Sequence, residues 1–479
     1  MKLIQFKDFS HGNLKNINLE IGSGEIILLS GANLCGKSIL LSSMKKSLLK
    51  NHGGAVDFFI DDEQIAYVSQ NLDSQLILST VLSELVFTME NLRFDSFTMN
   101  KRLAECVNFF GIADLLDKNI NDLSGGQKQL ILLCSAIITR PKIILIDDIF
   151  SQLDVILQNS IFNLIKLMHE EFDITFVIAS SNLDNVIKIC QRVIFISNGQ
   201  ILIDGPVQNS LRKLFSSPFK LFLPPVSKLS IEKNLDRVCL TRQEFKKLCP
   251  NANVNAQNKI RPISKNNSPI CLKNISYKYD SNPKFVINNL SWRIEHKINC
   301  IIGANGSGKS TLLKLIAKIF KPYCGYVIGL PTNVKYLPQN ALNVFALPTF
   351  IEQIDSCKDK NFAFDLAKLF NVSFAMDANI YDLPPSCQQI LAFIYLVADR
   401  PNVLILDEPT KFLDKANVKI MGEVLQKLDA TVIIASHNID FVYHVADNCI
   451  MLFNGNIAYE QSPFDFFSHN SFYTLNGFA

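Results

Sequence analysis

The chain has 479 residues, 48% apolar and 19% charged, which is room for two or three domains with cores of their own. That composition excludes a disordered or collagen-like chain. Lys plus Arg number 47 against 44 for Asp plus Glu, a net charge of only +3, so no nucleic-acid partner is expected.

No apolar run reaches the ~18–20 residues of a membrane-spanning helix. The longest, Leu130–Thr139 and Ile390–Ala398, end at Arg140-Pro141 and Asp399-Arg400, and are expected as buried helices. The start, Met-Lys-Leu-Ile-Gln-Phe-Lys, has no signal-peptide apolar core, and the twelve cysteines show neither CxxC pairs nor metal-ligand spacing. A soluble intracellular protein with reduced thiols is the expectation.

In chain order, Asn16-Ile-Asn-Leu-Glu-Ile and the apolar strand Glu25–Ser30 lead into Gly31-Ala-Asn-Leu-Cys-Gly-Lys-Ser38. This is a phosphate-binding loop pattern, with Gly31, Asn33, Gly36, Lys37 and Ser38 as candidate nucleotide contacts. Leu34 stands where such a loop carries a glycine, and a branched side chain in a tight turn predicts an altered loop geometry. Tyr67-Val-Ser-Gln70, Leu123-Ser-Gly-Gly-Gln-Lys-Gln and Ile143-Ile-Leu-Ile-Asp147-Asp148 follow. Ser38, Gln70 and Asp147 are candidate Mg²⁺ ligands.

From about 218 to 268 the character changes. Pro and Asn-rich stretches bracket a short helical pattern near Thr241–Leu248, and Pro250–Asn267 reads as an exposed linker. The same series then recurs. Asn289-Leu-Ser-Trp-Arg-Ile precedes Gly303-Ala-Asn-Gly-Ser-Gly-Lys-Ser310, which sits between a strand (Asn299–Ile302) and a helix (Leu312–Phe320). Tyr336-Leu-Pro-Gln339 and Val403-Leu-Ile-Leu-Asp407-Glu408 complete it. The offset falls from 272 (Lys309 minus Lys37) to 260 (Asp407 minus Asp147), so the second copy is the shorter. Two homologous halves, 1–217 and 269–479, flank the linker.

In the second loop Gly303, Asn305, Gly306, Gly308, Lys309, Ser310 and Thr311 are the candidate nucleotide contacts. Lys309 should neutralise the β and γ phosphates of ATP, and Ser310, Gln339 and Asp407 should ligate Mg²⁺. Glu408, after the strand, suits a base that orients and deprotonates water. Asp148, one methylene shorter, is expected to sit too far back.

Leu123-Ser-Gly-Gly-Gln-Lys-Gln resembles the signature of ATP-binding-cassette (ABC) ATPases, and the resemblance covers both halves. It implies an α/β fold of two phosphate-loop NTPase domains. Each would have a mainly parallel sheet, a helical signature subdomain and an N-terminal antiparallel part. By that resemblance Gln70 and Gln339 are Q-loop glutamines, with Gln339 catalytic beside Glu408. Ser151–Asp154 and Lys411–Asp414 are D-loops, His437 is the switch histidine and Tyr279 stacks on adenine. In the first half His11 or Phe9 is the nearest substitute for that tyrosine.

Family members bind two ATP molecules between head-to-tail domains, each loop completed by the other domain's signature. On that rule the second-half loop, with Glu408 and His437, is completed by Ser124, Gly125, Gly126 and Gln127. The first-half loop combines Leu34, Ile39, Asp148 and Ser181, in the histidine's place, with the facing sequence Leu383-Pro-Pro-Ser-Cys-Gln-Gln. Pro384 and Pro385 lack the backbone N–H that a phosphate contact needs. One hydrolytic and one ATP-holding site are expected.

Gln70-Asn-Leu-Asp-Ser-Gln75-Leu, with Thr80–Phe87 and Glu90-Asn-Leu, resembles energy-coupling-factor (ECF) transporter ATPases, as does Leu221–Leu229 of the linker. That resemblance implies a peripheral subunit on the cytoplasmic face of the membrane. Its partners would be a transmembrane coupling protein and a membrane-embedded substrate-binding subunit. A fused ATPase of a monosaccharide importer and a soluble translation factor are the alternatives.

Overall fold

The computed structural model describes residues 1–69, 75–123, 125–152, 155–250, 265–280, 284–304 and 306–469. The chain divides into two compact units, Met1–Ala252 and Asn253–Ala479.

The first unit opens with β1 (Lys2–His11), β2 (Leu14–Gly22), β3 (Ile26–Gly31), β4 (Gly53–Phe58) and β5 (Ile65–Val68). It continues with β6 (Ile143–Asp147), β7 (Thr175–Ala179), β8 (Arg192–Ser197) and β9 (Gln200–Pro206). The central sheet runs β5-β6-β7-β3-β8-β9, parallel except for the last pair, and β2-β1-β4 forms a separate antiparallel sheet. Sequence explains the division. β3, β6 and β7 are apolar runs, buried on both faces as parallel strands between helical layers must be. β2 alternates buried and exposed residues, as a half-covered strand does.

The second unit repeats this plan. Its strands are β10 (Lys265–Tyr277), β11 (Ile287–His296), β12 (Ile298–Ile302), β13 (Cys324–Ile328) and β14 (Val334–Leu337). β15 (Val403–Asp407), β16 (Thr431–Ala435), β17 (Asn448–Phe453) and β18 (Asn456–Gln461) complete it. The sheets are β14-β15-β16-β12-β17-β18 and β11-β10-β13. In each unit the phosphate loop and the acids therefore emerge at the same carboxyl edge of one parallel sheet, where ligands bind in open α/β sheets.

Helices Val81–Asn91, Ser96–Phe110 and Gly125–Ile137 make a subdomain with its own core around Leu85, Met89, Ile131 and Cys134. The expected buried helices are found as Gly125–Ile137 and Pro385–Ala398. Among the described residues no helix is long and apolar enough to cross a membrane.

Residues 218–250, set apart by composition, pack into the first unit. Phe222, Leu223, Ile231 and Val238 join its core, and Phe222 meets Phe195 of β8 edge-on at 5.6 Å between ring centres. Helix Arg242–Leu248 starts at a Thr241/Glu244 capping box, matching the helical pattern of the sequence. Residues 251–264 lie outside the described residues.

Phe222→Ala should lower the stability of the first unit by about 3–5 kcal/mol, the cost of emptying a buried phenyl site. Urea unfolding of the full chain would show its transition moving to lower denaturant; a solvent-exposed connector would leave it unmoved.

Candidate functional site

Each phosphate loop bends around its own lysine. Lys37 Nζ donates to the Gly31 and Ala32 carbonyls at 3.0 and 2.8 Å, and Lys309 Nζ to those of Gly303 and Ala304 at 2.8 and 3.0 Å. Gly36 and Gly308 precede the lysines at φ 106° and 101°, and a Cβ on Gly36 would stand 2.5 Å from Leu14 Cδ2. The altered geometry expected from Leu34 is not found. Leu34 adopts φ 64° where Gly306 has 79°, and a Cβ at Gly306 would have nothing within 4 Å. Space permits the side chain; only the left-handed backbone costs, about 1–2 kcal/mol. The Asn13 amide steadies this turn by donating to the Leu34 carbonyl. Asn305 lies outside the described residues.

Behind each loop a hydroxyl meets the strand-end aspartate. Ser38 Oγ donates to Asp147 Oδ1 at 3.0 Å, and Ser310 bonds Asp407 likewise. Burial holds both aspartates above the usual carboxylate range, against the opposing pull of these hydroxyls and the nearby lysines. Paired hydroxyl and carboxylate oxygens are the hard donors that Mg²⁺ takes, so the residues present fit that ion. The sequence reading missed a third partner. Tyr67 Oη donates to Asp147 Oδ2 at 3.2 Å and Tyr336 Oη to Asp407 Oδ2 at 3.3 Å. Its signal was the tyrosine shared by Tyr67-Val-Ser-Gln70 and Tyr336-Leu-Pro-Gln339. Gln339 follows β14 and is exposed, whereas Gln70 lies outside the described residues.

Glu408 and Asp148 leave their strands identically. Both have a left-handed backbone (φ 51° and 39°), and their N–H groups donate to the carbonyls of Ala435 and Ala179 at 2.9 and 3.0 Å. The side chains differ. Burial pushes Glu408 up to about 7, and its Oε1 is buried and accepts no hydrogen bond among the described residues. His437 Nε2 stands 3.5 Å from Oε1, and the His437 backbone N–H donates to Oε2 at 3.2 Å. Burial, with Lys309 nearby, lowers His437 to about 3, so the imidazole is neutral at working pH. Asp148 is raised by burial to about 6 and accepts from Ser181 Oγ at 3.4 Å. The longer acid carries an open acceptor beside an imidazole. The shorter one is engaged by a hydroxyl.

Gly125, Gly126 and Gln127 open the helix Gly125–Ile137; Ser124 is outside the described residues. In the second unit Pro384 caps the corresponding helix and Pro385 is its first residue. Prolines are tolerated there because those N–H groups have no partner within a helix, so folding is unharmed while two donors are lost. Two residues on, Gln129 Nε2 donates to the Ile149 carbonyl at 2.7 Å and Gln389 Nε2 to that of Pro409 at 3.2 Å. These buried glutamines tie the signature helix to the segment after the acids, a link the sequence reading also missed. Asp414 caps helix Lys415–Lys427, while Leu153 and Asp154 of the first D-loop lie outside the described residues.

Tyr279 is 37% exposed beside the second loop, its hydroxyl 2.9 Å from Thr311 Oγ1 and its ring edge-on to Tyr277 and Phe320. Phe9 is no counterpart: it is fully buried against Phe6 and offers no face to a base. His11 is accessible, with Nδ1 2.8 Å from the Asn51 carbonyl oxygen.

Comparison with known proteins follows this geometry. The sequence profile of the ABC transporter family matches residues 14–151 and 287–411, the two stretches that hold both loops and both acid pairs. A Bacillus thuringiensis protein that carries the name of an ABC transporter ATP-binding protein is 32% identical, over 98% of this chain and 92% of its own length. One of the same name from Clostridium tetani is 26% identical over 82% of this chain and 93% of its own length. Among solved structures, an archaeal ribosome recycling factor covers 96% of this chain and 90% of its own at TM-score 0.61 and 16% identity, a likeness of fold.

Tyr336→Phe removes one hydrogen bond from Asp407 without changing shape. The Mg²⁺ concentration that half-saturates ATP hydrolysis should rise roughly tenfold, as when a metal ligand loses an outer partner. An unchanged Mg²⁺ titration would show that the tyrosine does not orient the aspartate.

Proposed function

The chain belongs to the ABC transporter family, and from that premise we propose that it is the ATP-hydrolysing subunit of an ECF-type membrane importer, its second half hydrolysing ATP and its first half holding it. The enzyme is an ATPase, as its family and its ATP-binding relatives show. The observation that carries the division of labour is the pair of acids: Glu408 with an open buried oxygen beside His437, Asp148 with a hydroxyl on it.

In this reading Lys309 and the backbone of its loop bind the β and γ phosphates. Glu408 takes the proton of the water that attacks the γ-phosphorus, and the bond from that phosphorus to the β–γ bridging oxygen breaks, leaving ADP and phosphate. Neutral His437 donates a hydrogen bond without adding charge to the acid. Ser310, Asp407 and Gln339 would hold Mg²⁺ in the second half, and Ser38, Asp147 and Gln70 in the first. The ion supplies charge neutralisation on the phosphates. Glu408 is buried, which excludes competing water and keeps the base poised near neutrality.

The transport assignment is supported by the Gln70–Gln75 pattern and by the names of the relatives. A transmembrane coupling protein and a small membrane-embedded binding subunit are the partners, with this chain peripheral on the cytoplasmic face. Purification of the tagged chain from detergent-solubilised membranes should bring down two such membrane proteins. Recovery with ribosomes alone would favour the translation-factor reading.

Glu408→Gln should lower ATP turnover by ~10²–10⁴-fold, the usual worth of a positioned base, with ATP binding kept. Asp148→Asn should change little and Lys37→Ala should leave much of the turnover. Comparable losses from Glu408→Gln and Asp148→Asn would sink the one-site assignment. The base works deprotonated and its pKa is raised to about 7, so turnover should fall as pH drops through 7 and level off above 8. A flat profile from pH 6 to 8 would contradict Glu408 as the base.

A further inference from the structure

The two halves differ at one more point, and it concerns the base of the nucleotide rather than its phosphates. Strand register aligns the two antiparallel sheets residue by residue. Phe9 pairs with Ile17 as Ile275 pairs with Leu290, and His11 pairs with Leu14 as Tyr277 pairs with Ile287. Side-chain bonds agree: Ser10 Oγ accepts from the Asn16 N–H at 3.0 Å and Ser276 Oγ from the Asn289 N–H at 2.8 Å. His11 therefore stands in the place of Tyr277, not of Tyr279. Between β10 and β11 the second unit spends residues 278–286, which carry Tyr279. Between β1 and β2 the first unit spends only Gly12 and Asn13.

Its neighbours have changed to match. Thr311, whose hydroxyl meets that of Tyr279, is replaced by Ile39, and a Cβ on Gly12 would lie 3.1 Å from Ile39 Cδ1, so an apolar side chain closes on the short turn. Phe320, edge-on to Tyr279, is replaced by Leu48. Asn13, at the tip, donates to the Leu34 carbonyl of the phosphate loop itself. What remains intact beside the loop is the polar apparatus for a triphosphate: Lys37 on its two carbonyls, and Ser38 on Asp147.

We propose that the first-half site recognises the triphosphate of its ligand and not the base, so that it takes nucleoside triphosphates of any base, and inorganic triphosphate, nearly alike. The proposal rests on the reading that this half holds a nucleotide. Stacking on an aromatic ring is worth roughly 5- to 150-fold in affinity, and the first half forgoes it. A first half that keeps its charge while forgoing base recognition stays filled whenever any triphosphate is abundant. The second half, which hydrolyses, keeps its ring.

The test is equilibrium binding of Mg²⁺ complexes of ATP, GTP and inorganic triphosphate to the full chain, with one loop silenced at a time. In Lys309→Ala the three dissociation constants should agree within roughly threefold; in Lys37→Ala, ATP should bind at least roughly fivefold tighter than triphosphate. Ser310→Ala replaces Lys309→Ala if the latter fails to fold. Tyr279→Ala on the Lys37→Ala background should bring the ATP-to-triphosphate ratio down to that of the first half. ATP bound roughly tenfold or more tighter than triphosphate by Lys309→Ala would overturn base indifference while leaving nucleotide holding intact. No binding of any of the three, with ATP still bound by Lys37→Ala, would overturn both.

Discussion

A buried ammonium group cannot be left without partners, and in each half the lysine of the phosphate loop finds two of them in carbonyls at the start of its own loop. That requirement shapes everything near it. The chain must turn tightly enough to bring residues 31 and 32 within reach of the side chain of residue 37. It does so through left-handed backbone at Leu34 and Gly36, as at Gly306 and Gly308. Parallel strands buried on both faces anchor the turn, and the same carboxyl edge delivers the aspartates that meet Ser38 and Ser310.

Because the chain carries this arrangement twice, each half is a control for the other. The backbone is kept where it differs least in cost: the acids leave their strands with the same left-handed turn and the same N–H bond to the neighbouring strand. Chemistry is changed through side chains alone. Shortening an acid by one methylene and exchanging an imidazole for a hydroxyl turns an open, buried acceptor near neutrality into one already engaged. Prolines at the start of the second signature helix follow the same economy, since a helix start loses nothing it uses. Degeneration of a site without damage to the fold is what the spacing of these substitutions achieves.

The tyrosine–aspartate and glutamine–carbonyl bonds suggest how a site is kept in register within a unit. Tyr67 and Asp147 lie at the ends of adjacent strands, and Tyr336 and Asp407 likewise. Gln129 and Gln389 connect a helix of the signature subdomain to the turn after the acids. Each is a single hydrogen bond worth about 1–3 kcal/mol when a charged or buried group depends on it, and each occurs in both halves despite their divergence elsewhere.

The sequence by itself determined the repeat, the two phosphate loops, the strand-end acids and the buried helices, because each is written in contiguous residues. A loop of fixed length, an apolar run, or an acid directly after a strand needs no partner far along the chain to be recognised. It also marked the contrast between Glu408 with His437 and Asp148 with Ser181 by simple alignment of one half on the other. Tertiary structure alone decided the rest. Phe9 looked available in the sequence and proved to be core, since β1 turns it toward Phe6; Leu34 looked disruptive and proved accommodated, since nothing occupies the space its Cβ enters. Residues 218–250 looked like a connector, yet their aromatic and aliphatic side chains fill the first unit's core. The tyrosines and glutamines were visible as letters but not as bonds. Their partners lie tens of residues away, joined only by strand pairing and helix packing, and no local spacing records which side chain folding will bring to which oxygen.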